Sequence, residues 1–108
     1  MIDPIQTSDI TMRAEVAQFA IDMEKQLRKN EWKGGWQNET IVYLLHQFQL
    51  KANEVNESLN YLVNVSDSIV AHEVVLEDIT DAANYLMMLA DKLRCSIQRL
   101  KGDPNGAC

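Results

Sequence analysis

Breakers are scarce in this chain of 108 residues: it has four glycines and two prolines, and the prolines sit at positions 4 and 104. Long helices are therefore permitted over most of the sequence. Cysteine is scarce too. Cys95 and Cys108 form no paired metal-ligand spacing, which sets aside a zinc site or a disulfide framework and leaves free thiols as the expectation. The longest wholly apolar run, positions 86–90, falls far short of the roughly 20 residues that cross a bilayer. The acidic start Met1-Ile2-Asp3-Pro4 lacks the charged and apolar regions of a signal peptide, so a cytoplasmic location is expected. Positive charge is in deficit: ten Lys and Arg against sixteen Asp and Glu leave a net charge of −6. That balance argues against nucleic acid as a partner and requires local cations wherever an anionic ligand binds.

What remains is apolar periodicity. Met12, Val16, Phe19, Met23 and Leu27 recur every three or four positions, predicting a first helix from about residue 9 to 30, capped by Ser8 or Asp9. After a loop over 31–38, the series Ile41, Leu44, Leu45, Phe48, Ala52, Val55, Leu59, Leu62 predicts a second helix, capped by Asn38 or Thr40 and fraying over 64–67. A third begins near Ser68 and follows Val75, Ile79, Ala82, Leu86, Leu89, Leu93, Ile97 and Leu100 to a stop at Gly102. No segment reads as a strand. The fold class is all-α, a single domain over 1–108 with loose ends at 1–8 and 102–108. Three broad apolar stripes in so short a chain are most readily covered by helices of another copy, so a homo-oligomer, dimer or tetramer, is expected.

Chemistry concentrates where acidic residues meet this periodicity. Asp78 and Asp81 lie three apart, one turn from each other on the third helix, and share a stripe with Tyr85 and Lys92 beside the apolar one. Glu54 and Glu57 repeat the spacing on the second helix. Four carboxylates on two packed helices are the hard oxygen donors that Mg²⁺ prefers. A solvated charged face is the alternative. In the first loop, Trp32-Lys33-Gly34-Gly35-Trp36 sets two indoles around a glycine pair. Each can stack on a base or staple the loop to the core. His46 and His72 have no second ligand at metal spacing, and no phosphate-binding glycine-rich loop is present.

A helix, a Trp/Gly loop, an acidic helix and then Asp78-Ile79-Thr80-Asp81 running on into Ala83-Asn84-Tyr85-Leu86-Met87-Met88-Leu89-Ala90-Asp91 is similar to the MazG-like all-α nucleotide pyrophosphohydrolases, especially small phage and mobile-element members. The resemblance covers about residues 16 to 93 and is most specific over 78–91. It implies a MazG-like helical bundle completed by oligomerisation. It also implies cleavage of nucleoside triphosphates to monophosphate and pyrophosphate with Mg²⁺, and a nucleotide pocket walled by Trp32, Lys33 and Trp36. On this likeness Glu54, Asp78 and Asp81 stand where catalytic acids would; Glu57 is a further candidate metal ligand from its spacing to Glu54. Lys51, Asn84, Tyr85 and Lys92 are candidates for ligand contact. The family's first motif, Glu-Glu-x-x-Glu, is degenerate here, because Leu50 and Lys51 occupy the paired-Glu positions and only Glu54 is kept. Exchanging two carboxylates for one ammonium changes the local charge from −2 to +1 and repels a divalent cation. Binding of a nucleotide with hydrolysis weakened or lost is therefore the leading expectation. The alternatives are an active Mg²⁺-dependent pyrophosphohydrolase and a helical scaffold without a small ligand.

Overall fold

A computed structural model describes residues 10–31 and 34–102. It contains α1 (Ala14–Lys29), α2 (Ile41–Asn64) and α3 (Ile69–Leu100), with no strand among the described residues. The chain is all-α, and no helix is long and apolar enough to cross a membrane.

The second and third helices start where capping chemistry places them. The Thr40 hydroxyl accepts from the Tyr43 N–H at 3.0 Å, and the Ser68 hydroxyl accepts from the Ala71 N–H at 3.1 Å. Each satisfies one of the donors that a helix N-terminus leaves without an intrahelical partner. α3 stops at Leu100, and Gly102 takes a positive φ of 76° just beyond, the left-handed closure that favours glycine.

α1 begins later than its apolar series predicts. The chain is extended at Arg13, which serves as N-cap without a side-chain hydrogen bond, and Met12 lies before the helix. Ser8 and Asp9, the expected caps, lie outside the described residues. The helix ends tidily: Arg28 and Lys29 face its negative pole, and the Asn30 amide donates to the Gln26 carbonyl at 3.1 Å.

A link of four residues, 65–68, folds α2 back along α3, while the backbone of α1 packs against α3 rather than α2. α3 is therefore the central element. At 1.5 Å per residue its 32 residues span about 48 Å against about 36 Å for the 24 of α2, so its last turns run past the start of α2.

The core is thin. Leu44, Ala71, Val75 and Ala82 are its buried apolar residues, and α1 buries none. The periodic series therefore mark helices correctly but overstate burial. Val16, Ile41, Leu45, Leu59, Leu86 and Leu93 stay substantially exposed, because three helices of one chain cannot surround one another. The chain exposes 8527 Å², against roughly 6,100 Å² for a compact 12.3-kDa monomer.

Cys95 corrects the expectation of a free thiol, since it is disulfide-bonded. Ligand spacing in sequence reports on metal sites, whereas bridging depends on distance in space. Cys108 lies outside the described residues.

Candidate functional site

Where α1, the first loop, α2 and α3 meet, they line a half-open cavity of about 630 Å³, large enough for a nucleotide-sized molecule. Its wall is built from Leu27 of α1, Gly34 and Trp36 of the loop, Tyr43 and Lys51 of α2, and Asp81, Asn84 and Tyr85 of α3, among others.

The loop is held in place from α3. Trp36 donates its indole N–H to the Asp91 carboxylate at 2.9 Å, and the Lys92 ammonium donates to the Gln37 carbonyl at 3.0 Å. Gly34, with φ of 88°, supplies the turn between them and the end of α1. Trp36 thus both staples the loop and offers its ring to the cavity. Lys92 spends its ammonium on the backbone of the loop and is not part of the wall.

At the floor, groups from all three helices converge. The Lys51 ammonium lies 3.3 Å from the Glu54 carboxylate and 3.8 Å from that of Asp81, which accepts a hydrogen bond from Gln26 of α1. Partial burial of Lys51 opposes its charge, but the hydrogen bond and charge of Glu54 and the charge of Asp81 outweigh that, and its pKa is raised. Burial raises the pKa of Asp81 as well, and neighbouring Glu77 and Asp78 add to the shift, while Lys51 and Gln26 work against it. Tyr85 is also raised, first by burial and then by Tyr43, with Lys51 opposing.

Asn84 is almost wholly buried. Its amide donates to the Met23 carbonyl of α1 at 3.2 Å, which fixes the orientation and leaves the side-chain oxygen without a partner. An unpaired acceptor in such a place costs about 1–3 kcal/mol. The wall also carries Glu24, Glu31, Glu39 and Glu77, so Lys51 is its single cation among the described residues. The cavity is acidic around one fixed ammonium.

Of the residues singled out in sequence, Trp36, Lys51, Asn84, Tyr85 and Asp81 share this wall. Glu54 touches it through Lys51. Asp78 is half-buried beside Asp81 and outside the wall, and Glu57 is exposed on α2. Leu50 is exposed as well, so of Leu50 and Lys51 only Lys51 reaches the cavity. Trp32 and Lys33 lie outside the described residues.

The proposed metal ligands Glu54, Glu57, Asp78 and Asp81 do not form a centre. Among the described residues no three His, Cys, Asp or Glu side chains could hold a metal ion together, and the space between Glu54 and Asp81 is taken by Lys51. Because the ammonium stands where a divalent ion would need those two carboxylates, the residues present do not fit Mg²⁺.

Tyr43, Glu39, Glu77 and Gln26 escaped the sequence reading. Tyr43 carries an available signal: it lies eight residues before Lys51, on the same side of α2 two turns away. Glu77, four residues before Asp81 on α3, shares its face by the same local spacing, whereas Gln26 and Glu39 reach the cavity through the packing of α1 and the loop across α3, which no local spacing reports.

No family model matches the sequence, and neither a curated protein nor a solved structure matches it.

Proposed function

We propose that the protein binds a nucleotide in this cavity, in the manner of a MazG-like pyrophosphohydrolase whose hydrolysis is weakened or lost, and acts by holding its ligand. The observation that carries the reading is Lys51, fixed between Glu54 and Asp81 inside a nucleotide-sized cavity with Trp36 and Tyr85 in its wall. A fixed ammonium presents donors to a phosphate oxygen. It cannot replace a metal in generating hydroxide for attack on phosphorus, so binding without cleavage follows.

The acidic wall refines the ligand's orientation. Carboxylates at Glu24, Glu31, Glu39 and Glu77 repel a polyphosphate tail and accept from the N–H and O–H groups of base and sugar. The base and sugar therefore belong in the cavity with one phosphate at Lys51. In a phage or mobile element, such a protein withdraws a nucleotide or a nucleotide signal from the host cytoplasm.

The test is to incubate the pure protein with a host nucleotide extract and identify by mass spectrometry what is retained and what is cleaved. Retention of an intact nucleotide is expected. Efficient release of pyrophosphate, abolished by Asp81→Ala, would establish the active enzyme instead, and no retention or cleavage would leave the helical scaffold.

A further inference from the structure

The polar chemistry of the cavity wall is one-sided. Its side-chain nitrogen donors each have an acceptor within the protein: the Trp36 indole has Asp91, the Asn84 amide the Met23 carbonyl, the Asn30 amide the Gln26 carbonyl, the Gln26 amide Asp81, and the Lys51 ammonium Glu54 and Asp81. What is left facing the cavity mostly accepts. Five carboxylates, Glu24, Glu31, Glu39, Glu77 and Asp81, stand against one ammonium, a formal net of −4. Counting the outer partners, Arg28 on Glu24 and Glu54 on Lys51, leaves that net unchanged. Asn84, only 4% exposed, adds an oxygen buried in the wall without a partner, which only a donor satisfies. Trp36 of the loop, Tyr43 of α2 and Tyr85 of α3 bring three aromatic rings to the same wall.

We propose that the base of the bound nucleotide is itself a cation, a pyridinium or an N7-alkylated purine, and that the acids and rings of the cavity select it over neutral bases. This rests on the nucleotide reading, with its phosphate at Lys51. Charge decides first. A phosphate adds negative charge to a cavity that already carries an excess, and a neutral base does nothing to offset it, whereas a cationic base is drawn to the carboxylates where water is partly excluded. The rings act in the same direction. An aromatic face attracts a cation, Trp most strongly, and a flat charged heterocycle combines that attraction with stacking. An aliphatic amine shares the charge but not the stacking.

Polarity and hydrogen bonding agree. Lys51, the wall's single cation among the described residues, attracts the phosphate and repels the ring, which fixes the end of the ligand that lies beside it. A pyridinium carboxamide and an N7-alkylated guanine both present amide or amino N–H groups, the donors that the Asn84 oxygen and the free carboxylates lack.

Calorimetry on the full chain with two matched pairs tests the assignment: nicotinamide mononucleotide against its reduced form with an uncharged ring, and 7-methylguanosine monophosphate against guanosine monophosphate. A cationic member is expected to bind about tenfold or more tighter than its neutral counterpart, with a preference that shrinks as salt is raised. Preference in one pair alone assigns the cation as pyridinium or as purine. Equal affinity within both pairs overturns the inference and leaves the proposed function standing, and no binding of either cationic nucleotide overturns it as well. Nicotinamide riboside separates the two readings: binding as tight as that of the mononucleotide would remove the phosphate contact at Lys51 and leave the base preference intact. Glu39→Gln with Glu77→Gln, checked for helicity by circular dichroism, is expected to cut the preference at least about threefold. An unchanged preference, or an equal loss for all four nucleotides, overturns the inference.

Discussion

At the scale of single residues, three titrating groups of the cavity, Lys51, Asp81 and Tyr85, all hold their protons more tightly than usual. For Lys51 the folded pKa lies above the ordinary 10.5, so its contribution to stability is fully present below that value and is lost as pH rises through the folded pKa. Tyr85 acts in the same direction above its ordinary 10.0. Asp81 too is raised, so its share is present below 3.8 and fades as pH rises through its folded pKa, and it is no source of acid lability. Melting temperature followed from neutral into alkaline solution should therefore fall more steeply for the natural chain than for Lys51→Met; parallel curves would detach Lys51 from its carboxylates. Trp36 gives a second residue-scale expectation. Trp36→Phe keeps the ring and deletes the N–H to Asp91, at a cost of about 1–2 kcal/mol in urea unfolding, and an unchanged midpoint would mean that the loop is held elsewhere.

At the scale of elements, the helices were legible to the extent that their ends carry their own chemistry. Thr40 and Ser68 stand directly before apolar runs and cap them. The first helix misled because acceptors at Ser8 and Asp9 precede an apolar residue, Met12, that shares the period without joining the helix, and Arg13 offers no acceptor where the helix starts. Two substitutions test this. Ser68→Ala should lose about 1 kcal/mol, and Arg13→Asp, which supplies the missing cap, should gain about 0.5–1 kcal/mol in chemical unfolding. Equal stability of Arg13→Asp and the natural chain would place the start of α1 elsewhere. Lys51 near Glu54 was legible for the same local reason, being three residues away on one helix. The approach of Gln26 and Glu24 to the cavity depends on the placement of α1 across α3, so much of the cavity's acidity was hidden in sequence.

At the scale of the whole molecule, one long helix organises two opposite surfaces. One side of α3 joins α1, the loop and α2 around an acidic cavity with a fixed cation; the other presents a seam of apolar residues. The thin core of Leu44, Ala71, Val75 and Ala82 follows from that division, because much of the apolar surface is directed outward rather than into a centre. Under the proposed function Lys51 does at the cavity what a metal would otherwise do for binding, and calorimetry with the nucleotide recovered from extract tests this most directly. Affinity should persist in EDTA and fall about tenfold or more in Lys51→Ala, the loss of one charge-assisted hydrogen bond. Affinity that requires Mg²⁺, or that is indifferent to Lys51→Ala, would contradict it.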